Sequence, residues 1–315
     1  MPKKKQNALW ALIVKLGVKI LPYLTKLLKF TKLLKVGLAA ASFASYAYMF
    51  TWKFAILIMI ALAWHESGHV WAMRQMGIKT KGFYFIPFIG GAAIAEESAK
   101  TYGAWIFISI MGPVWGLFLA LVSCGLYYST GLPIFAASAS FMALINLFNL
   151  FPVNPLDGGQ IVRSIAFSIH KNFGFVFLVL SLFLGAVLMY KLRIGLFGFI
   201  LILGLVDLLV EFFKRKNIAK KVAEFTEEAA ERRECANIAR DRGRDIDEAC
   251  HLRQEARLLE KILSLRTSTP ISMDRKQLTY SLLGYVGTIV FALVIIRFMA
   301  HIPGASLANE FLAEK

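Results

Sequence analysis

The stretch "AWHESGHVWA", residues 63–72, contains two histidines and a glutamate within an apolar run that begins near Phe54. Ionisable side chains are rare inside a bilayer or a core because their desolvation is unfavourable, so they are functional candidates by default. His65 and His69 are four positions apart, which places both imidazoles on one face of an α-helix, about one turn apart. Glu66 follows His65 directly and is offset around the same helix.

The composition indicates an integral membrane protein. Of the 315 residues 57% are hydrophobic, and the mean hydropathy is +0.60, well above the values of soluble domains. Apolar runs of the roughly 20 residues that cross a bilayer occupy residues 54–76, 102–128, 132–150, 173–190, 194–213 and 278–300, with a shorter run at 36–50. We therefore expect an all-α polytopic membrane protein with about six to seven transmembrane helices.

The net charge of +16 does not predict a nucleic-acid partner, because the basic residues mostly flank the membrane segments. Residues 1–33 predict a basic amphipathic helix that lies on the membrane surface and binds anionic lipid. A cytoplasmic N-terminus places the lysine- and arginine-containing segments 77–101, 151–172 and 214–277 on the cytoplasmic side, in agreement with the positive-inside rule. The compact chain without a targeting extension favours a prokaryotic cell (inner) membrane.

Three further segments complete the predicted domain organisation. Residues 34–213 form the transmembrane domain, and residues 214–270, rich in charges of both signs, form a cytoplasmic helical hairpin whose first helix runs to about Asp241. Residues 271–315 form the last transmembrane helix and a tail. Two interpretations of the hairpin are open: a solvated element that packs on the membrane domain, or a docking module for a regulatory partner.

The H-E-x-x-H spacing is that of a zinc site. Two imidazoles one turn apart bind one zinc ion, and Glu66 is placed to act on a water as general base without being a ligand. The alternative is a pair of buried histidines that are hydrogen-bonded to neighbouring helices. Two hydrogen-bonded histidines alone would not explain why a glutamate also lies near the middle of a membrane helix.

A third ligand is expected from "NLFNLFPVNPLDGGQ", residues 146–160. An ordinary turn is one interpretation of its proline, asparagine and glycine residues. Beside an intramembrane H-E-x-x-H, the segment is better explained as a broken helix that brings the Asp157 carboxylate to the metal, since irregular backbone is tolerated at membrane depth where it lines a protein cavity. Two histidines and one carboxylate leave a position for water, as a catalytic zinc requires.

Together the two segments resemble the motifs of the site-2 protease family of intramembrane zinc metalloproteases. The first family motif matches His65-Glu66-Ser67-Gly68-His69. The second, Asn-x-x-Pro-x-x-Pro-Leu-Asp-Gly-Gly, matches residues 149–159 in register. The motifs occur in the family's order, and the resemblance covers roughly residues 34–170.

The resemblance implies that His65, His69 and Asp157 bind Zn²⁺, that Glu66 is the general base, and that Asn149 holds or polarises the scissile carbonyl. One position departs from the family pattern. The family often has Gly-Pro-x-x-Asn on the intervening span, whereas "MGPVWG" (residues 111–116) keeps the Gly-Pro pair and has glycine at the asparagine position.

The segment "GFYFIPFIGGAAI", residues 82–94, predicts short membrane-associated β segments after the histidine helix. An exposed edge there could pair with an unwound substrate strand; the alternative is an apolar loop packed on the helices. Asp207 and Glu211 near the end of another span are open to two interpretations: lining of a polar channel, or ion pairs with Lys214 or Arg163.

These features predict a zinc endopeptidase that cleaves transmembrane segments of substrate proteins near the cytoplasmic face. A non-hydrolytic membrane transporter or receptor that binds a metal through the same cluster is the alternative class. That alternative has no need of Glu66 as a base. A catalytically inactive scaffold is disfavoured because the expected ligands, the base and Asn149 are all present.

Overall fold

The structure is a computed structural model that describes residues 31–88, 90–192, 196–241 and 270–299. Within these ranges the chain forms eight helices and one two-stranded sheet: α1 (Thr31–Met49), α2 (Trp52–Gln75), β1 (Thr80–Ile86), β2 (Gly90–Ala95), α3 (Tyr102–Thr130), α4 (Pro133–Asn149), α5 (Asp157–Ile169), α6 (Lys171–Leu192), α7 (Leu196–Asp241) and α8 (Arg275–Met299). Nearly all of the predicted basic helix 1–33 and the second helix of the predicted hairpin lie outside the described residues.

Four of the described helices, α2, α3, α6 and α8, are long and apolar enough to cross a membrane, and α1 and α4 are shorter apolar helices. Many large apolar side chains on their outer faces are exposed, among them Phe183, Tyr190 and Leu283. Such a surface is unfavourable in water and is expected against lipid. The expectation of an integral membrane protein is therefore confirmed, while the count of six to seven spans stays a prediction.

Helix α7 joins two segments that the sequence analysis assigned to different domains. The apolar run predicted at 194–213 is its first part, and the helix continues without a break to Asp241. No glycine or proline interrupts residues 214–241, and the alanine, glutamate, lysine and arginine that dominate this segment are strong helix formers. The predicted domain boundary at 213–214 therefore falls inside one helix.

Helix α3 is the centre of the bundle, since it contacts α2, α4, α5 and α8. One buried cluster joins α2, α3, α4 and α8 and contains Ala61, Leu117, Ala120, Ala139, Met142, Ala143, Ala292, Ile295 and Met299. Its alanines allow close approach of the helix backbones, which is how helices associate in lipid, where apolar burial gives little driving force. A second cluster joins α3, α5 and α8.

The ends of the central helices follow local rules. Thr51 and Thr101 are N-caps whose hydroxyls accept from the backbone N–H groups three residues on. Gly131 ends α3 in the left-handed region, with φ of 68°, and Pro133 is the first residue of α4. These signals fix the reversal between α3 and α4, and thereby the position of α4 beside the histidine helix.

The β segments predicted within residues 82–94 are confirmed as an antiparallel pair. Tyr84 lies opposite Ala92, and Ile86 lies opposite Gly90. The sheet contacts α1 and α2, so it covers the region where α2 carries its histidines.

We expect the α2–α3 contact to depend on the absence of a side chain at Gly68. A Cβ at Gly68 would lie 2.3 Å from the Met111 backbone oxygen, whereas one at Gly125, on the exposed side of α3, meets nothing within 4 Å. Gly68→Ala should therefore force the helices apart and destabilise the fold by roughly 1–3 kcal/mol. Thermal unfolding of the purified protein in detergent should show a clearly lower Tm for Gly68→Ala. Gly125→Ala is the control and should unfold at or above the wild-type temperature.

Candidate metal centre

Helix α2 carries both histidines and the glutamate on buried faces. The exposed fractions are only 2% for His65, 6% for Glu66 and 7% for His69. These side chains lie on one of the candidate membrane spans, and little of their surface is open to solvent. Their polar atoms must therefore be satisfied by protein groups or by a bound ion.

Asp157 is the first residue of α5 and follows the irregular segment 150–156 that was predicted as a broken helix. Other helices hold this segment. The Asn154 N–H donates to Ser181 Oγ of α6 at 2.6 Å, and the Tyr285 hydroxyl of α8 donates to the Leu150 carbonyl at 2.7 Å. The position of the carboxylate is thus set by contacts from two neighbouring helices.

A polar network ties the same segment to α7. The Asn154 side-chain amide donates to Asp207 Oδ2 at 2.8 Å, and Arg163 of α5 pairs with the same oxygen at 2.5 Å. Arg163 also approaches Glu211, with 3.7 Å between Nη2 and Oε2. The predicted pairing of the two α7 carboxylates with Arg163 is confirmed, and a further arginine, Arg215, contacts Glu211.

The fold brings His65, His69 and Asp157 together although 92 positions separate the first from the last. The two histidine Nε2 atoms are 3.1 Å apart. Asp157 Oδ2 lies 3.1 Å from His65 Nε2, and its Oδ1 lies 3.3 Å from His69 Nε2. With one ligand atom taken from each residue, the three atoms lie within 4.8 Å of one another. A tetrahedral zinc ion with bonds of ~2.0–2.1 Å has neighbouring ligand atoms about 3.3 Å apart, so the three side chains are grouped closely enough for one such ion.

The second ring nitrogen of each histidine decides which atoms face the centre. His65 Nδ1 donates to Asn146 Oδ1 at 2.8 Å, and His69 Nδ1 donates to the Ile108 carbonyl at 2.7 Å. In neutral rings the proton is then on Nδ1, and both Nε2 atoms present lone pairs. In that state two imidazole lone pairs and a carboxylate converge, an arrangement that repels itself unless a cation lies between them or a ring takes up a proton. The residues fit Zn²⁺ by this chemistry.

Glycines leave the space that the site side chains occupy. A Cβ at Gly112 would lie 2.2 Å from His69 Nε2, and one at Gly91 of β2 would lie 2.4 Å from Glu66 Cγ. Side chains at these two positions would displace the histidine and the glutamate. The glycine of the Gly-Pro pair on α3 is thus explained by the histidines that pack against it.

The centre opens on a cavity of about 820 Å³. The cavity is lined by all of β2, by apolar side chains from α1, α4 and α7, and by His65, Glu66, His69 and Asp157. The cavity is large enough for an extended peptide segment, and its walls are mostly apolar. Glu66 therefore lies both beside the candidate ligands and on the wall of a space that a substrate could enter.

Asn149, the remaining residue singled out from the sequence, is the last residue of α4 and lines this cavity. The asparagine that contacts a histidine is instead Asn146, one turn earlier on the same helix. Asn146 was not among the residues expected at the site from the sequence. The available signal was a second polar residue in the same apolar run, three positions before Asn149 and thus on nearly the same helix face.

The fold and the site define a multi-pass membrane protein with an H-E-x-x-H metal centre. Residues 53–140 match the family model of peptidase family M50. A zinc metalloprotease of Methanocaldococcus jannaschii is 29% identical over 126 residues, which are 38% of this chain and 35% of that protein. A Synechocystis protein whose name contains "zinc metalloprotease" is 33% identical over 124 residues, covering 38% of this chain and 32% of its own length.

A Mycobacterium tuberculosis protein named as a zinc metalloprotease, Rip3, is 31% identical over 126 residues, 38% of this chain and 32% of its own. The chain thus spans about a third of the length of the curated relatives it matches. The family match and the relatives' names show that part of the chain is similar to peptidase family M50, the site-2 protease family. Both imply Zn²⁺ as the cofactor, with which the His-His-Asp group is compatible.

We expect the zinc content of the protein to depend on the side chains of His65, His69 and Asp157. Purified wild type should hold roughly one zinc per chain, and His65→Ala and Asp157→Ala should each lose most of it, because two ligands bind zinc weakly. His170→Ala is the matched control: His170 is exposed at the end of α5 and contacts the Asn172 N–H. Metal analysis after dialysis checks this, and undiminished zinc in His65→Ala would contradict the assignment.

Proposed function

We propose that this protein is an intramembrane zinc endopeptidase that cleaves a transmembrane segment of another membrane protein near the cytoplasmic face. One observation carries the proposal: two imidazole nitrogens and a carboxylate converge on the wall of a largely apolar cavity, with Glu66 beside them, on helices of a membrane protein. Metal-assisted peptide hydrolysis inside a membrane uses these components together: a metal centre, a base and a sheltered space for the peptide.

The residues divide the chemistry between them. His65, His69 and Asp157 would hold zinc, which when bound supplies Lewis-acid polarisation and makes water acidic enough to ionise near neutral pH. Glu66 accepts the proton of the attacking water and delivers it to the nitrogen of the leaving amine. Asn149, on the cavity wall, holds the scissile carbonyl through its side-chain amide.

A helical substrate must be unwound before it is cut, because its carbonyl groups are hydrogen-bonded within the helix. The free edge of β2 is suited to hold an extended chain. On β2, the Ile94 carbonyl and the Glu96 N–H face β1, where they bond with Thr80 Oγ1 and the Lys79 carbonyl. Since facing alternates along a strand, the backbone groups of Gly91, Ala93 and Ala95 point away from β1. The Ala93 backbone already hydrogen-bonds the Glu66 carboxylate, so the groups of Gly91 and Ala95 would pair with an incoming substrate strand beside Glu66.

The orientation and the partners are part of the same proposal. The N-terminus is cytoplasmic, six to seven helices cross a prokaryotic inner membrane, and residues 1–33 bind anionic lipid. The positive charges of 77–101, 151–172 and 214–277 support this orientation. The charged part of α7 and the residues that follow it, 214–270, would serve a regulatory partner; no nucleic-acid partner is proposed.

We expect Glu66→Gln to abolish cleavage and to keep zinc. The substitution removes the proton acceptor but none of the three ligands. The cleavage rate should therefore fall by about 10²–10⁴-fold, the usual contribution of a general base. The assay is cleavage of a panel of single-span membrane proteins by wild type and variant in proteoliposomes, with zinc measured in both. Equal cleavage by the two proteins would contradict the role of Glu66. Metal transport by both without cleavage would favour the transporter class.

Strand pairing predicts a specific effect at Ala95. Ala95→Pro removes an outward-facing N–H that β1 does not use, so it should lower kcat/KM for a membrane substrate by about tenfold, the value of one hydrogen bond of ~1–1.5 kcal/mol. Ala95→Val keeps the N–H and favours a strand, and serves as the matched control. Both variants should keep wild-type zinc. A Val variant as impaired as the Pro variant would assign the effect to side-chain volume and not to backbone pairing.

A further inference from the structure

Asn146 is a buried polar residue of α4 that contacts the metal centre from outside. Its exposed fraction is 2%, and its Oδ1 accepts the hydrogen bond from His65 Nδ1. It is not one of the three residues whose side chains converge, and it does not line the cavity of the proposed substrate. An amide buried this deeply in an apolar helix is unfavourable unless both of its ends are bonded.

The second bond fixes the orientation of the amide. Asn146 Nδ2 donates to the Met142 carbonyl at 2.6 Å, and a carbonyl can only accept. The NH₂ end must therefore face Met142, which leaves Oδ1 for His65. An acceptor at this position requires the proton of the neutral His65 ring to be on Nδ1, and the lone pair of Nε2 is then directed to the centre.

Helix α3 leaves the room for this side chain. A Cβ at Gly116 would lie 2.2 Å from both terminal atoms of the Asn146 amide. Any larger residue at 116 would occupy the volume that Asn146 fills. Gly116 is also the position at which the sequence departs from the Gly-Pro-x-x-Asn pattern on α3. The asparagine of α4 therefore fits only because α3 has a glycine at the position that faces it.

His69 provides an internal comparison. Its Nδ1 is bonded to the backbone carbonyl of Ile108, an acceptor that no side-chain substitution removes. His65 depends on one side chain for the same function. The two histidines are thus held in the same tautomer by different means, and only the His65 acceptor can be altered by exchanging a residue.

We propose that Asn146 is a positioning residue that holds His65 in the tautomer and ring orientation that binds zinc, and that Gly116 is required because it leaves the space for this amide. The inference rests on the metal centre of the proposed function. Asn146 takes no part in the proton transfers or in holding the peptide; its effect is on the affinity of the centre for its ion.

Two substitutions that keep the number and branching of the side-chain heavy atoms test the role of the amide. Asn146→Leu removes the acceptor and leaves the buried His65 N–H without a partner, so the affinity for Zn²⁺ should fall by about 10–100-fold, as for other outer partners of metal-bound histidines. Asn146→Asp keeps an oxygen for His65, and its second oxygen, protonated in this buried site, donates to the Met142 carbonyl as Nδ2 does; it should bind Zn²⁺ within a few-fold of wild type. The readout is the Kd for Zn²⁺ of the full-length protein in detergent, from competition with a chelator of known affinity, with the visible spectrum of the Co²⁺ form as a second signature.

Two glycine substitutions on α3 test the space without changing Asn146. Gly116→Ala should displace the amide and weaken Zn²⁺ binding in the same direction as Asn146→Leu. Gly125→Ala, on the same helix where a Cβ meets nothing within 4 Å, should bind as wild type does. If thermal unfolding shows that Asn146→Leu is not folded, the comparison of Gly116→Ala with Gly125→Ala tests the role of Asn146 instead.

The outcomes separate this inference from the proposed function. A wild-type protein that binds no zinc would refute the metal centre itself. Tight binding by wild type with an unchanged Kd in folded Asn146→Leu or in Gly116→Ala would overturn the role of Asn146 and leave the proposed function standing. Weakened binding in both, with recovery in Asn146→Asp, would establish Asn146 as the residue that positions His65.

Discussion

The convergence of two imidazole lone pairs and one carboxylate, within 3.1–3.3 Å of one another, is the constraint on which the other features of this protein depend. Such an arrangement is unfavourable in a low-dielectric interior unless a metal ion or a proton offsets it. It fixes α2 and the start of α5 relative to each other. It also accounts for ionisable residues in a helix that is otherwise suited to lipid.

Metal ligands are effective only within a few tenths of an ångström of their ideal positions, so the surroundings of the centre must be rigid. Two devices supply the rigidity. Gly68 and Gly112 let α3 approach α2 so closely that a methyl group at either position would overlap its neighbours. The segment before Asp157 is held by side chains of α6, α7 and α8. In a bilayer, where apolar burial adds little to helix association, close packing of small residues and such hydrogen bonds are the forces available.

The surroundings also connect the centre to other parts of the molecule. On one side β2 contributes Gly91, against which Glu66 packs, so the sheet and the proposed base share one cavity wall. On the other side Asp207 joins the segment before Asp157 to α7, which continues to Asp241 as a charged helix. The segment 150–156 is thereby in physical contact with the helix whose second half, residues 214–241, is charged.

The sequence by itself determined the membrane class, the pairing of His65 with His69 on one helix, the β segments and the candidacy of Asp157. Each of these follows from local signals: hydropathy over one span, a four-residue period, or turn residues in one motif. Only the tertiary structure decided that Asn146 bonds His65, that Gly116 makes room for it, and that α7 is continuous through a predicted boundary. Asn146 and His65 are 81 positions apart, and which side chains meet across two helices depends on the crossing and rotation of the helices. Those are set by the sizes of residues throughout the interface, which no single motif records.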